Sequence, residues 1–427
     1  MRRTLQLLMA GVGSLCLAVP VLAQSQSGVR PPAMAFENGR WFDGERFTPD
    51  EFYVVDGRMT RNRPEQVDAT FDLQGKYVLP GLIDAHNHNF QNGPFAAFSN
   101  QRTLQAGVYH SVQMCSRPDQ TMAFAGFLQN PGNVEVLFTD ACFSGSDGHP
   151  LGIALASSAQ MGEDISVEEV HQSYDPVDTV EDLDALWPAV LERSPRLIKV
   201  ILINSERRAA ELQDRSTFGY RGLDPVVARE IVRRAHLAGV RVAAHVDSAA
   251  DFALAVEIGA DIIAHLPGYR IAENMTADDY RISDAAISAA ADRKTIVITT
   301  AGAARHAMQR RPERAGALRA MQIQNLTRLV AAGVPIAMGS DDVMGSVVDE
   351  IVYVDALGIM PREQLLRLST AGTARAMFPD RTMGEFVEGA EATFNVYAAD
   401  PLQDLSALRH VFLGVQSGTV LASKRGH

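Results

Sequence analysis

The stretch "YVLPGLIDAHNHNF" at residues 77–90 ends in two histidines one residue apart. Neutral imidazole is a good ligand for a divalent cation, and residues i and i+2 of a strand face the same side. The rings of His86 and His88 can therefore both reach the interior of the fold. Three further apolar runs end on ligand types: His245 in "VAAHV", His265 in "IIAHLPG" and Asp341 in "IAMGSDD". Lys199 is the only charge inside "LIKVIL". Singly, each has an ordinary reading: a hydrogen-bonded loop histidine, an aspartate capping the next helix, a buried lysine paired with a carboxylate. Together they make a poor coincidence, because four of the eleven histidines would fall at the same ends of successive runs. The chemistry that suits them is hydrolysis, since bound Zn²⁺ lowers the pKa of water to about 7. A lysine ammonium repels a cation. It becomes a ligand only when CO₂ converts its amine to a carbamate, a step that burial favours by lowering the lysine pKa.

These residues need a scaffold that gathers strand ends. Eight apolar runs, "VLPGLIDA", "VYHSVQM", "VEVLFT", "LIKVIL", "VRVAAHV", "ADIIAHL", "TIVITT" and "VPIAMGS", alternate with helical stretches such as "DPVVAREIVRRAHLAG". Near-continuous apolar strands belong to parallel sheets covered on both faces, and eight strand–helix units predict a (β/α)₈ TIM barrel over 77–379. Catalytic groups in such a barrel sit where strands end, which accounts for the histidines. An open doubly wound sheet is the alternative, but no Gly-rich phosphate loop follows the first run. The long connection from about 139 to 195 is expected to form a lid or pocket wall. Residues 24–76 and 380–427 hold short β-rich pieces broken by Asn-Gly, Asp-Gly and Gln-Gly, which read as hairpins of one small β-sandwich domain closed by both ends of the chain.

The 427 residues are 46% hydrophobic and 21% charged, ordinary for a globular protein. Residues 1–23 hold two arginines, an apolar stretch broken at Pro20, and Val21-Leu22-Ala23. This is the layout of a bacterial-type signal peptide, cut after Ala23, and it predicts an exported protein, periplasmic or secreted. Cleavage would remove Arg2 and Arg3 and no acids, taking the formal charge from -12 to -14. That acidity argues against nucleic acid as a partner and leaves a small-molecule substrate, with a homo-oligomer open. No later run has the length of a membrane span. Cys115 and Cys142 follow neighbouring runs; a bridge between them is open, because disulfide geometry is strict.

"PGLIDAHNH", the lysine of "LIKVIL", "AAHV", "IAHL" and "GSDD" together resemble the amidohydrolase superfamily, in its imidazolonepropionase-like and exported dipeptidase (prolidase-like) branch. The resemblance spans nearly the whole mature chain. It implies a binuclear metal site: His86 and His88 on one divalent ion, His245 and His265 on the other, and the Lys199 carbamate and a hydroxide bridging them. It also implies that Asp341 ligates the first ion, takes a proton from the attacking water and passes it to the leaving amine. The implied reaction is hydrolysis of an amide C–N bond, most simply in a dipeptide or N-acyl amino acid, with Zn²⁺ the default metal.

The substrate side is less sharply marked. Related enzymes carry a Gly-His-Pro-like piece that contacts substrate, which points to His149 in "GSDGHPLG". Tyr220 and Arg221 in "FGYRG" could hold a carboxylate, as could Arg305 and His306, although each also reads as a plain surface residue. His110, His171, His236 and His410 lie off the strand ends and receive no chemistry. A cyclic-amide hydrolase or mononuclear deaminase is a rival, but "RVAAHVDSAAD" lacks the Glu that such deaminases carry near this histidine. A lactonase or phosphotriesterase would use the same ions on another electrophile. A non-catalytic scaffold would have lost ligands, and this chain keeps the full set.

Overall fold

The computed structural model describes residues 31–421 except 92, 117, 140, 270 and 272–274; the expected leader at 1–23 lies outside the described residues. Aromatic and β-branched residues form the strands nearest the chain ends: β1 (Met34–Phe42), β2 (Phe47–Val55), β3 (Arg58–Thr60), β4 (Ala69–Asp72) and β5 (Tyr77–Pro80). Asp56 and Gly57 both take positive φ, 50° and 74°, the paired left-handed turn that an Asp-Gly hairpin between β2 and β3 requires. Asn38-Gly39, expected to break a hairpin, instead makes a bulge inside β1. A Cβ at Gly39 would lie 2.7 Å from the Trp41 indole nitrogen, so the position admits no side chain.

The run read as one strand, "VLPGLIDA", is divided at Gly81. Its first part, β5, pairs with β1, while β6 (Leu82–Asn87) joins a different, parallel sheet. A Cβ at Gly81 would lie 2.7 Å from the Tyr109 ring and 2.8 Å from Thr393, which is why the chain crosses there on glycine. Parallel strands follow: β7 (Val108–Gln113), β8 (Glu135–Phe138), β9 (Cys142–Ser144), β10 (Asp175–Pro176), β11 (Leu197–Leu202), β12 (Arg241–Val246), β13 (Ile262–Ile263), β14 (Ile296–Ile298) and β15 (Ile336–Ala337). They are ordered β6-β7-β8 in one sheet and β10-β9-β11-β12-β13-β14-β15 in the other. β8 comes from the run "VEVLFT", whereas β9 begins beyond that run and lies in the other sheet. The segment after β15 bonds back to β6, Ala85 N donating to Met338 O at 2.9 Å and Asp341 N to His86 O at 2.8 Å.

The strands alternate in what they cover. Ile198, Val200 and Leu202 of β11 pack with helical residues such as Ile231 and Val232, whereas Leu197 packs with Ala243, Ile262 and Ile298 from neighbouring strands. Lys199 shares the second face by the two-residue period. Helix Pro225–Leu237 starts where Asp224 caps Val226 N at 2.8 Å and Pro225 needs no donor. The long connection at 139–195 folds into helices Leu151–Met161, Val167–His171 and Val180–Glu192 and the edge strand β10. Cys115 and Cys142 form a disulfide, with Cα atoms 4.8 Å apart.

The chain then returns to its beginning. β16 (Phe394–Tyr397) pairs antiparallel with β5 and is followed by β17 (Val411–Gln416) and β18 (Thr419–Leu421). The terminal strands form one eight-stranded sheet, β18-β17-β16-β5-β1-β2-β3, with β4 on β1. Trp41, Phe52 and Phe394 fill its apolar cluster, the first two with ring centroids 4.6 Å apart. From Pro32 onward the described residues form one compact unit. The fold is mixed α/β with parallel sheets.

Candidate metal centre

His86 and His88 leave the end of β6 side by side, their Nε2 atoms 3.3 Å apart. Asp341, four residues past β15, brings Oδ1 to 3.4 Å from His86 Nε2 and 3.3 Å from His88 Nε2. Donor atoms from these three residues lie within 4.8 Å of one another. The other ring nitrogen of His86 donates to Ala264 O at 2.8 Å, leaving the Nε2 lone pair facing the aspartate oxygen. The His86 lone pair and the carboxylate oxygen repel unless a cation sits between them, so the donor set fits a divalent ion.

The second pair stands against the first. His245, on β12, and His265, just past β13, approach with Nδ1 to Nε2 2.7 Å apart. The His265 ring lies 4.4 Å from that of His86 and its Nδ1 is 3.5 Å from Asp341 Oδ2. His245 Nε2 is buried without a hydrogen-bond partner, 3.6 Å from Asp247 Oδ1, and its chemistry suits a cation ligand. Lys199 is 1% exposed on β11, and burial pushes its ammonium down to about 7. The same burial holds His86 and His265 well below the ordinary imidazole range, with Lys199 adding to the effect on both. Burial opposes the charge of Asp341 too, but His86, His88 and Tyr269 outweigh it and hold that carboxyl far below the usual range. His86, His88, His245, His265 and Asp341 thus gather where parallel strands end, while Lys199 lies inside β11 and reaches His86 and His265 by its charge.

Of the residues predicted for substrate, His149 joins this centre. Its ring stacks on His245 at 5.2 Å, and burial, with His245 beside it, pushes it down to about 3, so it is a neutral imidazole. Tyr220 packs instead on the helix after His149, where a Cβ at Gly152 would meet its ring at 2.5 Å. Arg221 is tied into its own surroundings: Nη1 pairs with Asp147, Nε donates to Thr217 Oγ1 at 2.8 Å and Nη2 to Asp214 O at 2.8 Å. The Arg221 fork, a weaker candidate for a substrate carboxylate, clasps the loop after β11 to the loop after β9. Arg305 lies 3.5 Å from Asp342 and donates to Gly302 O, and His306 is exposed.

Three residues at the centre carry no mark in the sequence. Tyr269, in the loop after β13, sets its hydroxyl against Asp341 Oδ2, His265 Nδ1 and Thr300 Oγ1, the last at 3.2 Å. Thr300 itself takes a φ of 39°, rare for a β-branched residue. Asp84 is buried and accepts from Ser340 N at 2.9 Å, Ser340 Oγ at 2.6 Å and His86 N at 3.1 Å, locking β6 to the segment after β15. Burial pushes its carboxyl up to about 7. The four-residue spacing of His265 and Tyr269 was the available signal, but the course of a loop is not written in periodicity.

No family model matches the sequence, and no curated protein matches it. Solved structures do. A Xaa-Pro dipeptidase with bound methionine in its active site aligns at TM-score 0.71 and 17% identity over 92% of this chain and 100% of that one. An ochratoxinase of A. niger aligns at TM-score 0.71 and 16% identity over 92% of this chain and 96% of its own. A prolidase complexed with N-methylphosphonate-L-proline aligns at TM-score 0.68 and 18% identity over 92% of this chain and 100% of that one. On this likeness, the chain has the fold of the amidohydrolases and prolidases.

Proposed function

We propose that the chain is a metal-dependent amidohydrolase of the prolidase-like branch, hydrolysing the C–N bond of a dipeptide or N-acyl amino acid on a closed (β/α)₈ barrel. The observation that carries this reading is the convergence of His86, His88 and Asp341 on one point, with His245, His265 and buried Lys199 beside them. The backbone bonds from the segment after β15 to β6 support closure of the barrel. Two divalent ions, Zn²⁺ by default, would supply an acidified water and polarise the scissile carbonyl.

The chain's own residues do the rest. Burial lowers the Lys199 pKa, so its amine could take up CO₂ with loss of a proton, and the resulting carbamate would place an anion rather than a cation among the ligands. Asp341 takes a proton from the attacking water and returns it to the leaving amine. His149, neutral and stacked on His245, donates a hydrogen bond to substrate. We read residues 1–23 as directing export to the periplasm or medium, and the acidic chain as an enzyme of small molecules that binds no nucleic acid, with a homo-oligomer open.

The test is to count metal in the purified protein and assay panels of Xaa-Pro dipeptides, N-acyl amino acids and simple esters. Bound Zn²⁺ with amide turnover, both falling in Lys199→Ala, is the expected result. A protein that binds no divalent ion and cleaves no amide ends the proposal, and turnover of esters alone shifts it to a lactonase or phosphotriesterase.

A further inference from the structure

The Tyr269 hydroxyl stands where both histidine pairs and the aspartate meet. It has one proton to give and two lone pairs to offer. Asp341 Oδ2 can only accept while the carboxylate is ionised, so the hydroxyl proton goes there. Its lone pairs then receive Thr300 Oγ1–H, at 3.2 Å, and the Nδ1–H of His265. Each of these bonds has a consequence on the far side of the partner. With Oδ2 engaged, Asp341 presents Oδ1 to His86 and His88 at 3.4 and 3.3 Å. With Nδ1 protonated, His265 presents the Nε2 lone pair toward His245. The Tyr269 ring is held for this task, edge-on to His265 at 4.8 Å and parallel to His245 within 7°.

We infer that Tyr269 is a positioning residue that sets both halves of the metal site at once, fixing the tautomer of His265 and the metal-facing oxygen of Asp341 through one hydroxyl. The inference rests on the metal-dependent reading above. Groups of this kind behind a ligand typically carry about 10–100-fold in metal affinity or activity. Thr300 supports the hydroxyl from the side and touches neither ligand through these bonds.

The experiment uses chelator-stripped full-length protein, titrated with Zn²⁺ against a chromogenic competitor, for wild type, Tyr269→Phe and Thr300→Val. Tyr269→Phe is expected to lose about 10–100-fold in Zn²⁺ affinity, to lower kcat with KM within about twofold, and to keep the melting midpoint of the stripped protein. Thr300→Val is expected to stay within about threefold of wild type in affinity. A Tyr269→Phe protein that holds Zn²⁺ as tightly as wild type overturns the inference and leaves the proposed function standing. Equal losses in both variants also overturn it, since loop packing would then account for the effect. A wild type that binds no Zn²⁺ removes the proposed function and this inference with it.

Discussion

Lys199 is costly to the folded protein whenever it carries a proton. Its ammonium sits 1% exposed in an apolar strand, and burial brings its pKa from 10.5 to about 7. The unfolded chain therefore binds more protons between those values, so stability rises with pH across that window and the full cost persists below it. Replacing Lys199 by Met removes the cost. In chelator-stripped protein, the melting midpoint of Lys199→Met should exceed wild type clearly at pH ~6 and by much less at pH ~9.5; a gap independent of pH would contradict the burial of an ionisable amine. This residue was legible in the sequence because a lone charge inside "LIKVIL" has few ordinary explanations. The histidines were legible for a similar reason: imidazoles at the ends of apolar runs. Tyr269 and Asp84 were not, since an aromatic in a loop and an acid within a strand have many uses and only their partners single them out.

At the scale of elements, the loop after β14 is held from behind. Glu350, 1% exposed on helix Val347–Leu357, accepts from Ala301 N at 2.8 Å and Gly302 N at 2.6 Å, and this clamp keeps Thr300 at positive φ beside Tyr269. Glu350→Ala would strand two buried backbone donors, each costing about 1–3 kcal/mol. The expected loss is about 3 kcal/mol in urea unfolding. The Cys115–Cys142 bridge closes a 27-residue separation and joins the end of β7 to β9, which is in register with Lys199. Its replacement by two alanines should cost about 3 kcal/mol of stability by the same measurement. Strand identities could be read from the apolar runs, because burial on both faces leaves no room for polar alternation. The break at Gly81 could not, because it depends on Tyr109 and Thr393 closing over the backbone.

Across the whole molecule, the terminal sheet and the parallel strands are joined by charge as well as by β5 and β6. Arg381 bonds Glu391 at 2.6 Å, contacts Glu135 of β8 at 3.0 Å, and lies 3.2 Å from buried His110. Glu135 is held down to about 2, first by its contact with His110 and then by Arg381. Breaking a fully buried pair costs roughly 3–5 kcal/mol. These groups are partly in solvent, so Arg381→Ala is expected to cost about 2 kcal/mol and to speed limited proteolysis of the terminal strands. An unchanged cleavage rate would show that the apolar contacts alone dock that sheet. Glycine-punctuated β pieces at both ends made a shared sheet legible in the sequence, whereas the partner of each strand is a long-range choice that composition does not encode.

The pairing of β5 with β16 also sets an order of events. The ribosome emits the strand that leads into His86 and His88 long before Phe394–Tyr397 exists to flank it. Assembly of the ligand cluster must therefore await nearly complete synthesis. Messages truncated upstream of Phe394 are expected to yield fragments cleared by proteases, with no partially active product among them.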